Sequence, residues 1–248
     1  MARDAGKTIR KNFSLKVIAD WKADGTPLTK TDTDINAMVI QTVKKYFPSH
    51  SVLAEEENHT VAKSTYVWCC DPIDGTIPFS HGLPNSTFTL ALLEDGEPIL
   101  GVICEPFQNL ILSAVKNGGA YIQDAKGTKK IAVNTYTTFT SKVIHVDGLQ
   151  KNGNIYSSIF ARKGFACTYL STVYGAKQVA TGHFIGSIYY GKNPWDVAAV
   201  KIITEEAGGR CTSIHGEDQK YDAPIDGFIA SNGILHTELL KMVTEFDR

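Results

Sequence analysis

Residues 66–76, "YVWCCDPIDGT", constrain the chain more than any other stretch: an apolar run stops at one carboxylate and a second follows three positions later. The aromatic and β-branched run reads as a buried strand, so Asp71 is held at a rigid strand end. Pro72 fixes its own φ and restricts Asp71, which makes the turn stiff. Asp74 returns beyond it, and the Ile73 carbonyl is left without an obvious sheet partner. Two carboxylates and a free carbonyl on a stiff turn suit a hard cation that prefers oxygen ligands. Gly75 lets a ligand approach the backbone, and the residues after it can open a helix whose first N–H groups face an anion. Thr76 adds a hydroxyl there. Taken alone, the same residues also describe an ordinary turn with a helix cap.

Three more stretches shift that balance. In "LAEEEN", residues 53–58, a short apolar run again ends in acids, Glu55, Glu56 and Glu57. In "TKTDTD", residues 29–34, Asp32 sits where an N-cap belongs and Asp34 in a first helical turn. In "NPWDVAAVKIITEEAGG", Asp196 opens a helix directly after Trp195. Each acid has a capping or solvated-face explanation by itself. Together they serve one purpose if the fold brings these strand ends and helix starts into one place.

The overall balance narrows the classes. Across 248 residues the formal net charge is −1 and there is no Lys/Arg block, so nucleic acid is not the expected partner. No apolar stretch reaches the length of a membrane span, and "MARDAGKTIRKNF" has no apolar signal core, so a cytoplasmic location is expected. The five cysteines, Cys69, Cys70, Cys104, Cys167 and Cys211, lack zinc-finger spacing and read as free buried thiols. Cys69 and Cys70, adjacent on a strand, point to opposite faces.

Helical periodicity is expected over residues 2–18 and over 33–47, where Ile35, Met38-Val39 and Val43 recur and Pro48 follows. "ADGTPLT" between them reads as a loop. "SVLAE" and "TYVWCCD" are strands; "STFTLALLE" and "PILGVIC" form a hairpin around "DGE"; "LILSAV" and "AYI" flank a second turn, "KNGG". "KKIAVN", "KVIHVD" and "GFIAS" add strands. "TVYGAKQVATG", "DVAAVKIITEEAGG" and "ILHTELLKMVTEF" read as helices. Strands and helices mix without strict βαβ alternation, which gives an α+β, layered protein. A boundary near residue 135 divides it into an N-terminal α+β half, 1–135, that carries the acidic turn, and a C-terminal α/β half, 136–248, that completes the site.

"LAEEE", "DPIDGT" with Phe79, and "PWDVAA…EAGG", in that order and from "ARDAG" to the final helix, resemble the inositol monophosphatase superfamily. The resemblance implies one phosphatase domain with a layered α/β/α/β/α sandwich of the inositol monophosphatase / fructose-1,6-bisphosphatase type. It implies a Mg2+-dependent, lithium-sensitive phosphomonoesterase, a small phosphorylated substrate and a homodimer. At single residues it implies two or three Mg2+ ions held by Glu55, Asp71, the Ile73 carbonyl, Asp74 and Asp196. Asp32 and Thr76, with Glu55 nearby, would activate the attacking water, and Gly75 and Thr76 would donate backbone N–H groups to phosphate. Asp74 and Asp196 would also contact substrate. This agrees with the electrostatics, since crowded carboxylates stay ionised only when cations compensate them. The three-residue spacing of Asp71 and Asp74 differs from the Asp-x-Asp of phosphatases that form an aspartyl-phosphate, so covalent catalysis is not expected.

The substrate half departs from the family pattern. Pro78 stands where inositol phosphatases usually carry asparagine. Leu170–Val173, "LSTV", replaces Gly-Ser-Ala-Ala, and Ile185 replaces an aspartate. Tyr189 stands where inositol-specific enzymes carry a glutamate that contacts ring hydroxyls, and it is expected at the pocket wall. An inositol 1-phosphate-like substrate is the first expectation. Histidinol phosphate comes second and adenosine 3′,5′-bisphosphate third. A catalytically silent metal-binding scaffold is the non-enzymatic alternative.

Overall fold

Helix α2 shows how local chemistry sets the architecture. It spans Lys30–Tyr46, one turn earlier than Asp32 as a cap would place it. Thr29 is the N-cap, and Asp32 is the third helical residue, reaching back to the Thr29 N–H at 2.9 Å in a capping box. The expectation that Asp32 caps the helix is therefore corrected: a threonine three residues earlier takes that place. Ile35, Val39 and Val43 form its buried stripe.

In this computed structural model the described residues are 1–15, 17, 19–23, 25–147 and 154–244. Helix α1 spans Ala2–Asn12, shorter than the expected 2–18. Phe13 turns extended, and its ring packs 4.6 Å from Phe107 and 5.8 Å from Phe79, a tertiary contact that outweighs continued helix. Lys16 and Ile18 lie outside the described residues, as does Asp24 in the expected loop. That loop holds a small hairpin, β1 Asp20–Trp21 with β2 Pro27–Leu28.

The larger sheet has seven strands in sequential order: β3 Ser51–Ala54, β4 Tyr66–Asp74, β5 Thr87–Glu94, β6 Glu97–Glu105, β7 Leu110–Val115, β8 Gly119–Asp124 and β9 Gly127–Lys130. A short helix α3, Thr76–Ser80, follows β4. β3 and β4 run parallel and the remaining pairs antiparallel. The β5–β6 turn uses Asp95 and Gly96, both at positive φ, as a two-residue hairpin requires. Within "KKIAVN" only Lys129 and Lys130 pair in a strand.

The second sheet has the order β11-β10-β12-β14-β13. Its strands are β10 Val143–Asp147, β11 Phe165–Cys167, β12 Gly186–Tyr189, β13 Arg210–Thr212 and β14 Phe228–Ser231. Helix α4, Asn154–Ala161, was not foreseen. Helices α5 Thr172–Ala180, α6 Ala198–Glu206 and α7 His236–Thr244 correspond to the three expected segments, although the last one's expected end runs beyond the described residues.

The layers follow from which face each strand residue buries. Cys70 and Leu90 pack with Ile9, Ile35 and Val39 beneath α1 and α2, whereas Cys69, Ala91 and Leu93 face α5 and α6. Tyr189, Phe228 and Ala230 meet the same two helices from the second sheet, and Ile188 and Ile229 face α4 and α7 on its outside. The result is an α/β/α/β/α sandwich with α5 and α6 between the sheets. A buried ion pair, Lys177 Nζ to Glu105 Oε1 at 2.7 Å, ties α5 to β6. No helix among the described residues is long and apolar enough to cross a membrane.

Candidate active site

The acidic turn rests on a β-bulge. Asp71 pairs with Thr89 and Asp74 with Thr87, so three steps on β4 face two on β5. The bulge lifts Pro72 and Ile73 out of the ladder. The Ile73 N–H turns back to Asp71 Oδ1 at 2.9 Å, and the Ile73 carbonyl accepts from the Thr76 hydroxyl at 3.0 Å. Asp71 and Asp74 are thus buried yet aimed together.

Gly75 makes the next turn possible. Its φ of +83° is left-handed, and a Cβ there would lie 2.8 Å from Ser171 Cβ. Only glycine meets both conditions. Ser171, the N-cap of α5, donates its hydroxyl to Asp74 Oδ2, and Thr87 Oγ1 donates to the same oxygen at 3.0 Å. Asp74 is therefore held from both halves of the chain.

Asp196 arrives on a single 3-10 turn, Pro194–Asp196, just before α6, rather than opening the helix itself. One oxygen each of Asp71, Asp74 and Asp196 lies within 4.8 Å of the others. Glu55 follows β3, its N–H reaching the Cys70 carbonyl at 3.3 Å, and it lines the same cleft. Its Oε1 accepts from Lys22 Nζ at 2.7 Å, and Glu56 from the same ammonium at 2.6 Å. Asp32 is fully buried, and its Oδ1 lies 3.3 Å from Thr76 Oγ1.

Glu55, Asp71, Ile73, Asp74, Gly75, Thr76 and Asp196 line a cleft of about 200 Å³, together with Asp147, Leu170, Ser171, Thr172 and Asn193. Lys22 and Asp147 were not singled out from sequence, whereas Leu170, Ser171 and Thr172 belong to the "LSTV" stretch and Asn193 opens the "NPWD" motif. Asp147 carried a usable signal, because it ends an apolar run, "VIHV", as Asp71 does. Its Oδ2 accepts from Thr172 Oγ1 at 2.7 Å. Tyr189, expected at the pocket wall, is instead buried behind Asp196: its hydroxyl donates to Asp196 Oδ2, and it is not among the cleft residues. Its place in β12 turns the ring to the side of α5 and α6, into the core between the sheets.

The electrostatics call for positive charge. Burial pushes the Asp71 carboxyl well above its ordinary value, and Glu55, Asp74, Asp196 and Asp32 push it further. Burial likewise raises Asp196 well up, against the Tyr189 hydrogen bond, with Asp74 and Glu55 adding to the rise. Asp74 is raised to about 6 by burial, with the Ser171, Val173 and Thr87 donors opposing. Burial lifts Asp32 to about 7 despite two hydrogen bonds from Thr29. Lys22, lowered by burial but held up more strongly by Glu55 and Glu56, stays charged. Converging buried oxygens of this kind, with a carbonyl freed by a bulge, fit hard divalent cations such as Mg2+.

A protein-family model described as the inositol monophosphatase family matches residues 1–247. The chain belongs to the inositol monophosphatase family. It is similar to the "Fructose-1,6-bisphosphatase/inositol-1-monophosphatase" of Thermotoga maritima, at 33% identity over 88% of this chain and 82% of that one. It is also similar to a histidinol-phosphatase of Mycobacterium tuberculosis, at 30% identity over 97% and 94%. A protein of Neisseria meningitidis named "Putative Nus factor SuhB" is 28% identical over 98% and 95%. Among solved structures, an IMPase of Thermotoga maritima superimposes with a TM-score of 0.88 at 30% identity, over 98% of this chain and 94% of that one. The layered fold is that of the inositol monophosphatase family, and the proteins bearing enzyme names among these relatives are phosphatases.

Proposed function

We propose that this chain is a Mg2+-dependent hydrolase of small phosphomonoesters, with an inositol 1-phosphate-like substrate as the first reading. The observation that carries it is the convergence of Asp71, Asp74 and Asp196 within 4.8 Å, beside Glu55 and the Ile73 carbonyl in one cleft. These five residues would hold the ions. When bound, Mg2+ supplies Lewis acidity to the phosphoryl and leaving-group oxygens and acidifies water. The chain's own part is positioning and proton handling. Asp32 holds the Thr76 hydroxyl, and this pair orients a water for in-line attack and takes its proton. The backbone N–H groups of Gly75 and Thr76, at the turn into α3, serve the phosphate. No side-chain nucleophile is required. The family resemblance adds lithium inhibition and a homodimer to this reading.

Asp147 favours a second substrate reading. A further carboxylate in the cleft suits a leaving alcohol that carries a protonated amine, and the 30%-identical histidinol-phosphatase relative points the same way. Phosphate release from inositol 1-phosphate, histidinol phosphate and adenosine 3′,5′-bisphosphate, each with Mg2+, separates these readings. No release from any of them, nor from simple alcohol phosphates, would favour the silent scaffold.

A further inference from the structure

Tyr189 is buried at 5% exposure on β12 and is not among the residues that line the cleft, yet its hydroxyl is committed to one oxygen of Asp196. This bond ties β12 to the 3-10 turn that delivers Asp196, seven residues further on. Gly191 makes room for this: a Cβ there would lie 2.0 Å from the Tyr189 hydroxyl oxygen. A tyrosine, a glycine and an aspartate are thus matched over eight residues, and the match serves one carboxylate. A carboxylate with one oxygen held by a buried donor has its orientation fixed and its other oxygen available.

We propose that Tyr189 is a positioning residue that locks Asp196 as a cation ligand, and that it is not a substrate contact. The proposal rests on the Mg2+-dependent reading above. Partners that hold a metal ligand from behind set its geometry, and losing one typically weakens metal affinity roughly 10–100-fold. Tyr189→Phe keeps the ring and removes only the donor. Gly191→Ala keeps the hydroxyl and displaces it.

The test is calorimetric titration of Mg2+ and Mn2+ into the wild-type chain and both variants, with steady-state kinetics over a range of Mg2+ and a thermal melt of each. In both variants the cation dissociation constant should rise roughly 10–100-fold. The Mg2+ needed for half-maximal rate should rise in step, kcat should recover at saturating Mg2+, and KM for the phosphoester should hold. Unchanged cation affinity with a raised KM would overturn the proposal and return Tyr189 to the substrate wall. A lowered melting temperature with unchanged cation affinity would overturn it in favour of packing alone. Absence of cation binding by the wild-type chain would instead overturn the metal-dependent reading itself, a result distinct from any difference between wild type and variant.

Discussion

The Thr76 hydroxyl lies 3.3 Å from Asp32 and 3.0 Å from the Ile73 carbonyl, so it joins helix α2 to the bulge in β4. Asp32 also receives the Thr29 N–H and hydroxyl, so the residue proposed as the base of the Thr76 pair is also half of a capping box. Asp32→Asn can still accept from Thr29 but cannot take a proton. Turnover should fall about 10²- to 10⁴-fold, with a modest change in melting temperature and near-normal cation affinity by calorimetry. Loss of folding would show that the capping box is the residue's main role.

Asp74 and Asp196 come from different halves of the chain and meet in the cleft. Asp74→Asn or Asp196→Asn should weaken cation binding and cut turnover by roughly 10²-fold or more. Titration calorimetry and phosphate release, measured on the same preparations, should move together. Lost turnover with intact cation binding would remove these residues from the ligand set.

The raised carboxyls predict how pH and Mg2+ combine. An unfolded aspartate titrates near 4, whereas folded Asp74 and Asp32 do so at about 6 and about 7. Between those values the folded chain binds more protons than the unfolded one, so without cations these groups lose stability for the fold as pH rises through that window. Bound Mg2+ favours the ionised forms. Its stabilisation should therefore be larger at pH 8 than at pH 5, read as the Mg2+-induced rise in melting temperature. Equal rises at both pH values would contradict this.

Gly75 combines a left-handed φ with contact to Ser171. Gly75→Ala should cost about 1–3 kcal/mol for the backbone conformation alone, and more as Ser171 is displaced from Asp74. A chemical-denaturation midpoint checks the stability, and phosphate release checks the site. A variant as stable and active as wild type would show that the turn relaxes freely.

Asp147 should decide the leaving group. Asp147→Asn should reduce kcat/KM for an amino-alcohol phosphate roughly 10- to 100-fold, the worth of a hydrogen bond to a charged group at about 1.5–3 kcal/mol, and change a simple alcohol phosphate far less. Equal effects on both esters would place Asp147 in support of the acidic cluster instead.

Sequence patterning reached the acidic cluster because Glu55 and Asp71 follow apolar runs, Asp74 follows the stiff turn after Asp71, and Asp196 lies just ahead of a helix, and those positions converge when strands and helices stack. It missed what depends on long-range register. The hold of Ser171 on Asp74 spans 97 positions, so the "LSTV" stretch gives no local sign of that bond. Tyr189 shows the limit most clearly: its alignment position suggested a pocket wall, but β12 alternation turns its ring to the inner face of the second sheet. Helix α1 ends at Asn12, short of the expected residue 18, where Phe13 turns extended and its ring packs on Phe79 and Phe107, partners that sequence periodicity does not reveal.

The central claim is that the converging carboxylates make this chain a phosphomonoesterase by holding Mg2+. Inorganic phosphate released from inositol 1-phosphate and histidinol phosphate, measured in excess chelator and again after Mg2+ is restored, tests it most directly. Activity should vanish with chelator, return with Mg2+ and fall when lithium is added. Full hydrolysis in excess chelator would contradict the account.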